Sequence, residues 1–212
     1  MKKGILFDLD GTLWDSSEGV TASWNTALTR LGRPERVTLE QIHGLMGKTM
    51  DVIAQECFSQ VSWEKAQEIL DACVQEENDY LLHHGGVLYE GLEEVLGALK
   101  QAGYFLAIVS NCQEGYIEAF LTYHHLERYF DDTENFGHTG HGKGYNIRLV
   151  RERNRLDQAF YLGDTQGDYD AAGEAEMPFL HAAYGFGRVP EGTPAIGDIR
   201  KLPEWAEKFF RG

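Results

Sequence analysis

Two aspartates separated by a single residue, Asp8 and Asp10, stand at the exit of the apolar run Gly4-Ile5-Leu6-Phe7. Side chains alternate along a strand, so Asp8 and Asp10 lean to one side while Leu9 points into the core. Two carboxylates that share one small site cannot both stay ionised cheaply unless a cation neutralises them or one keeps its proton. The pair therefore predicts a site that holds a divalent ion and in which Asp10 carries a proton. Gly11 supplies a sharp turn, and Thr12 directs a hydroxyl back toward the site. A strand followed by an acidic helix N-cap accounts for Asp15 and Ser16, but not for two acids on the strand's exit.

Other residues able to do chemistry recur just after apolar strands or in loops before helices. Ser110 and Asn111 close the run Phe105-Leu106-Ala107-Ile108-Val109. There a hydroxyl and the next backbone N–H can bind one phosphoryl oxygen. Lys143, in His141-Gly142-Lys143-Gly144, offers a flexible ammonium that neutralises a carboxylate and a phosphate together. Asp164 and Asp168 lie in the loop Gly163-Asp164-Thr165-Gln166-Gly167-Asp168. Taken singly, these are a turn serine, a solvated lysine and a helix cap. Their common placement relative to Asp8 raises them above that reading. Lys48, between Gly47 and Thr49, is the cation of the preceding helical stretch expected to touch substrate. His138-x-x-His141 reads as a loop before it reads as a metal pair, and His83-His84 reads as a solvated hinge. Trp24, Trp63 and Phe58 are expected in a helical core, and Tyr184-Gly185-Phe186-Gly187 at the mouth of the site.

The elements that must position these groups follow from periodicity. Val20, Trp24, Ala27, Leu28 and Leu31 recur at helical spacing and stop at Gly32-Arg33-Pro34. Helical patterns resume from Thr38, from Met50 and over about 63–82, with no convincing strand between residues 15 and 82. Beyond Val87, apolar strands at 105–109, 159–162 and 178–182 alternate with helices at about 92–99, 113–123, 145–155 and 170–175, and a polar Gly- and His-rich stretch covers 131–144. Such alternation predicts an α/β fold, a doubly wound, Rossmann-like parallel sheet, with the site outside the carboxyl ends of its strands. The expected division is a core of residues 1–14 and 86–212 and an inserted α-helical cap domain of residues 15–85.

Composition narrows the functional classes. The 212 residues are 42% hydrophobic, enough for a sizeable core, and 34 acidic against 19 basic residues give a net charge of −15. That balance repels nucleic acid and anionic membranes, so any phosphate must be drawn by a local cation. Cys57, Cys73 and Cys112 share no ligand spacing, which fits a reducing cytoplasm. Met1 to Phe7 imitates the start of a signal peptide, but Asp8 and Asp10 interrupt it too early. The run from Tyr104 to Val109 is too short to span a bilayer. A soluble, cytoplasmic protein is expected.

The run Asp8-x-Asp10-Gly11-Thr12-Leu13-x-Asp15-Ser16 resembles the first motif of the haloacid dehalogenase superfamily, in the phosphatase branch that carries a helical cap and includes phosphoglycolate phosphatases. The resemblance spans essentially the whole chain, sharp at four short motifs and loose in the cap. It implies that Asp8 attacks phosphorus to form an aspartyl phosphate, and that Asp10 protonates the leaving oxygen and later activates water. It places Ser110 in the second motif, Lys143 in the third, and Asp164 with Asp168 in the fourth. Many relatives follow the motif lysine with proline, where this chain has Gly144. The implied Mg²⁺ ligands are the Asp8 carboxylate, the Asp10 backbone carbonyl and Asp164, while Asp168 orients Lys143 or a metal-bound water. The implied activity is Mg²⁺-dependent hydrolysis of a small phosphorylated metabolite. The rivals are a phosphomutase of the β-phosphoglucomutase type and a non-enzymatic aspartyl-phosphate signalling module. A dehalogenase has no use for Asp10. Natural substrate and oligomeric state stay open at this level.

Overall fold

The computed structural model describes residues 1–211. Strand β1 (Lys3–Phe7) runs into the turn at Gly11 and then into a two-residue strand, β2 (Trp14–Asp15). Four helices follow without an intervening strand: α1 (Ser17–Arg30), α2 (Leu39–Leu45), α3 (Met50–Cys57) and α4 (Trp63–His84). The chain returns through β3 (Val87–Leu88), α5 (Leu92–Gln101), β4 (Phe105–Ser110) and α6 (Tyr116–His124). It continues through β5 (Asp132–Asn135), α7 (Phe136–Thr139), α8 (Lys143–Arg153), β6 (Gln158–Gly163) and α9 (Gln166–Glu174). The last elements are β7 (Phe179–Ala182), β8 (Ala195–Ile196) and α10 (Leu202–Arg211).

Six strands form one parallel sheet in the order β5-β4-β1-β6-β7-β8. The chain adds strands on one side of β1 and then returns to its other side, so the switch in strand order falls at the carboxyl end of β1. Register brings the candidate residues level. Phe7 lies opposite both Ile108 and Leu162, so Asp8, Ser110 and Asp164 come together at the carboxyl ends of β1, β4 and β6. Alternation divides β1 between two cores. Ile5 and Phe7 face the cluster shared with α5 and α6, whereas Leu6 joins Ile147, Val150, Ala171 and Ala172 on the opposite face.

The helical stretch packs on itself through α1 and α4, where Trp24 and Leu28 are buried with Ile69, Leu70 and Cys73. Both crossings between sheet and helices are tied in one antiparallel ribbon, with Trp14 opposite Leu88 and Asp15 opposite Val87. Gly85 ends α4 at φ 65°, a left-handed conformation that suits glycine.

Several elements differ from the sequence reading. The polar stretch at 131–144 holds β5 and α7. Asp-Thr-Glu-Asn carries no apolar signal, yet it pairs as an edge strand because Arg153 binds Asp132 and reaches Glu134 at 2.5 Å. The helix expected from Gln113 begins at Tyr116, and the one expected from Tyr145 begins at Lys143. Trp63, expected in a core, is 44% exposed at the start of α4, whereas Trp24 and Phe58 are buried. Among the described residues no helix is long and apolar enough to cross a membrane, and all three cysteines are free thiols.

Candidate active site

Asp8 follows β1 directly and is held there by its backbone N–H, which donates to the Leu162 carbonyl at 2.8 Å. Lys143, the first residue of α8, is only 3% exposed. Its Nζ donates to Asp8 Oδ1 at 2.7 Å and to Asp168 Oδ1 at 2.5 Å. Asp168 is fixed in turn. Its Oδ2 accepts from the backbone N–H groups of Asp164 and Thr165 and from the Thr165 hydroxyl, and Thr165 Oγ1 accepts from the Asp168 N–H as the N-cap of α9. Asp168 is thus held at Oδ2 by three donors and bound by Lys143 at Oδ1.

Asp164 Oδ2 accepts from the backbone N–H groups of Phe186 at 2.7 Å and Gly187 at 3.2 Å. The loop can come this close only without a side chain at 185. A Cβ on Gly185 would collide with the Gly11 carbonyl oxygen and the Asp164 side chain. Gly11 itself takes φ 78° to turn the chain after Asp10.

Asp10 faces away from this cluster. Its Oδ1 accepts from Trp14 Nε1 at 2.9 Å, from the Ser16 hydroxyl at 2.8 Å and from the Tyr116 hydroxyl at 2.8 Å. Ser16 thus spends its hydroxyl on Asp10 rather than on capping α1, while Asp15 Oδ1 takes up the N–H and hydroxyl of Ser17. With Oδ1 saturated, Oδ2 is the position left for a proton.

Burial dominates the electrostatics. It pushes the Asp8 carboxyl well above its ordinary range, reinforced by the charges of Asp168 and Asp164 and opposed by Lys143. Burial also raises Asp10, against its three hydrogen bonds, and lifts Asp164 to about 7, with Asp168 adding to the effect. Burial would lower the Lys143 ammonium, but Asp168 and Asp8 outweigh it and keep the group protonated.

Carboxylate oxygens of Asp8, Asp164 and Asp168 lie within 4.8 Å of one another. With a single Lys143 ammonium beside three buried acids, full ionisation would leave two negative charges uncompensated. Asp164 Oδ1 is buried without a hydrogen-bond partner. An orphaned hard oxygen beside a second carboxylate fits a hard divalent cation, with Asp8 and Asp164 supplying its oxygens.

Ser110 is buried at the end of β4, its Oγ accepting from the Cys112 N–H at 3.3 Å. Asn111 Nδ2 donates to the Gly47 carbonyl across the mouth at 2.9 Å, leaving Asn111 Oδ1 unpartnered. The Thr12 hydroxyl is likewise buried and free, while its carbonyl accepts from Tyr184. His43 of α2 stacks on Phe186, ring centroids 5.1 Å apart, so the 184–187 loop borders the mouth. Lys48 reaches the cavity beside Asp10, but its ammonium is bound by both oxygens of Glu56, at 2.9 and 2.7 Å. His138 pairs with Glu134, and the His141 ring lies tilted against Tyr145 with centroids 4.1 Å apart, so the two histidines turn to different partners. Tyr116 and the buried Glu77 of α4 carried no signal in the sequence, and the 184–187 stretch was expected at the mouth without its backbone bonds to Asp164. Trp14 and Ser16 lay inside the first motif, Trp14 without a role and Ser16 as a helix cap.

Comparison with known proteins agrees with this geometry. Residues 5–182 match the family described as haloacid dehalogenase-like hydrolase. A phosphoglycolate phosphatase of Photobacterium profundum is 32% identical over 197 residues, covering 87% of this chain and 84% of that protein. One of Aliivibrio fischeri is also 32% identical, covering 87% and 85%. Among solved structures, CbbY from Rhodobacter sphaeroides in complex with phosphate superposes with a TM-score of 0.81 at 21% identity, over 95% of this chain and 96% of that one, a likeness of fold. Fold, motif spacing and relatives agree that the chain belongs to the haloacid dehalogenase-like hydrolases, among their phosphatases.

Proposed function

We propose that this protein is a cytoplasmic, Mg²⁺-dependent phosphatase that hydrolyses a small phosphate monoester through an aspartyl phosphate on Asp8. The observation that carries the reading is the division of labour between the two acids. Asp8 is gripped by Lys143 through Oδ1 alone, whereas Asp10 has one oxygen saturated by three donors and the other free.

In this reading Asp8 attacks phosphorus and the P–O bond to the leaving group breaks. Asp10, kept protonated by burial, gives its proton to the departing oxygen. The ionised Asp10 then takes a proton from water as that water attacks the aspartyl phosphate, which returns Asp8 and releases phosphate. Ser110 Oγ and the Asn111 N–H bind phosphoryl oxygens, with Thr12 beside them, and Lys143 neutralises the charge on the equatorial oxygens. A magnesium ion held by the Asp8 and Asp164 carboxylates and the Asp10 carbonyl would orient the nucleophile and neutralise charge. Helices α1–α4, within the proposed cap of residues 15–85, cover the site and exclude bulk water from the core of residues 1–14 and 86–212. The relatives' name makes phosphoglycolate the first ester to assay.

The test is phosphate release from a panel of metabolite esters with Mg²⁺, for wild type and Asp8→Asn. Turnover by wild type that is lost in the variant supports the proposal. Isomerisation of a hexose 1-phosphate faster than phosphate release would make the protein a mutase. Stoichiometric phosphorylation without turnover would make it a signalling module.

A further inference from the structure

Beside Asp10 a cavity of about 50 Å³ opens between the helical layer and the β4–α6 loop. A water centre needs roughly 10–15 Å³ of such space, so the cavity has room for about three to five non-hydrogen atoms. An ester bound with phosphorus at Asp8 and its bridging oxygen at Asp10 projects its alcohol portion into this space. The walls are mostly apolar: Trp24, Ile42, Leu45, Met46, Met50 and Ile53.

The polar lining is acidic and neutral rather than basic. Glu77 of α4 is 5% exposed and, among the described residues, forms no salt bridge. One of its oxygens accepts from Trp24 Nε1 and the other from Gln113 Nε2, and each keeps a second acceptor position. Burial lifts this carboxyl to about 7, against those two hydrogen bonds. Asn111 Oδ1 adds an unpartnered acceptor. Of the charged residues on the cavity, Asp10 and Glu77 are acids, and the one cation, Lys48, is already neutralised by Glu56.

We infer that this pocket selects esters of short, uncharged, hydroxyl-bearing alcohols and discriminates against leaving groups that carry a carboxylate, with Glu77 as the specificity-determining residue. The inference rests on the phosphatase reading above. A carboxylate placed here loses its hydration, meets the Glu77 carboxyl and gains no free cation. A hydroxyl donates to Glu77 or Asn111 while its carbon skeleton fills the apolar space.

The test compares kcat/KM for 2-hydroxyethyl phosphate, 2-phosphoglycolate and 2-aminoethyl phosphate, near-isosteric and differing in charge, with Mg²⁺ at pH 7.5. Wild type is expected to prefer the hydroxyl ester over 2-phosphoglycolate by about tenfold or more. Glu77→Gln is expected to narrow that ratio by raising kcat/KM for 2-phosphoglycolate. Preference of wild type for 2-phosphoglycolate or for 2-aminoethyl phosphate would overturn the inference and leave the phosphatase reading standing. An unchanged ratio in a folded Glu77→Gln protein would remove Glu77 as the determinant. If that variant does not fold, the wild-type comparison alone decides. Absence of phosphate release from every ester would instead sink the phosphatase reading.

Discussion

The Tyr116 hydroxyl donates to Asp10 Oδ1 at 2.8 Å, from a helix more than 100 residues away in sequence, and the same hydroxyl lies 2.7 Å from Ser16 Oγ. Two hydroxyls and an indole N–H thus converge on a single carboxylate oxygen. Such bonds favour the ionised acid, while burial favours the neutral one. Their balance sets the proton affinity of Asp10.

Tyr116→Phe removes one of the three donors and destabilises ionised Asp10. The kcat of the variant should fall about tenfold, the scale of one hydrogen bond to a charged group. Losing a donor to the carboxylate raises its pKa, so the limb of the kcat–pH profile that reports Asp10 should move to higher pH. A profile identical to wild type would show that Tyr116 has no hold on the acid.

Lys143→Met leaves Asp8 and Asp168 buried without their ammonium. Removing one partner of such a cluster costs about 3–5 kcal/mol. Urea denaturation at pH 7.5 should show a loss of this order. Part of it should return at pH 5, where raised carboxyl pKa values let Asp8 take up a proton. Equal stability of variant and wild type at both pH values would refute the neutralising role.

Magnesium should raise the melting temperature, because a cation that binds only the folded cluster stabilises it by about 2.7 kcal/mol at a concentration of 100 Kd. For a chain of this size that is a shift of roughly 5–10 °C. Asp164→Asn should abolish the shift, and EDTA should reverse it in wild type. A metal-induced shift that persists in Asp164→Asn would place the ion elsewhere.

Glu77 gives stability a pH dependence with a definite sign. Its carboxyl lies at about 7 in the folded chain against 4.5 when solvated, so the folded state holds the proton more tightly. Stability from this group is present below about pH 4.5 and is lost as pH rises through 7, by up to about 3 kcal/mol. Glu77→Gln should therefore flatten the change in unfolding free energy between pH 5 and 8. Parallel pH curves for the two proteins would refute it.

What the sequence made legible were residues whose roles follow from local order. Asp8, Ser110 and Asp164 each follow an apolar strand, and parallel register alone brings strand ends together. The loop position of Lys143 before a helix and the Thr165–Asp168 capping box needed only short-range pattern. Groups that act across the fold were not visible. Tyr116 looks like any aromatic at helical spacing, and its link to Asp10 exists only once α6 docks beside the β1 turn. Glu77 sits among the many acids of α4, and only packing shows that it points inward. β5 was missed because an edge strand covered by Arg153 needs no apolar residues. Trp63 misled because helical spacing does not say which end of a helix runs past its neighbours.

The two-residue ribbon of β2 and β3 ties both crossings into one joint, and Trp14 belongs to that joint while its indole holds Asp10. A rotation of helices α1–α4 about this joint would move Trp14 and, with it, the indole N–H that Asp10 accepts. In the proposed reading, opening of the helical layer would then also loosen the proton donor, gearing reactivity and enclosure together through a single side chain.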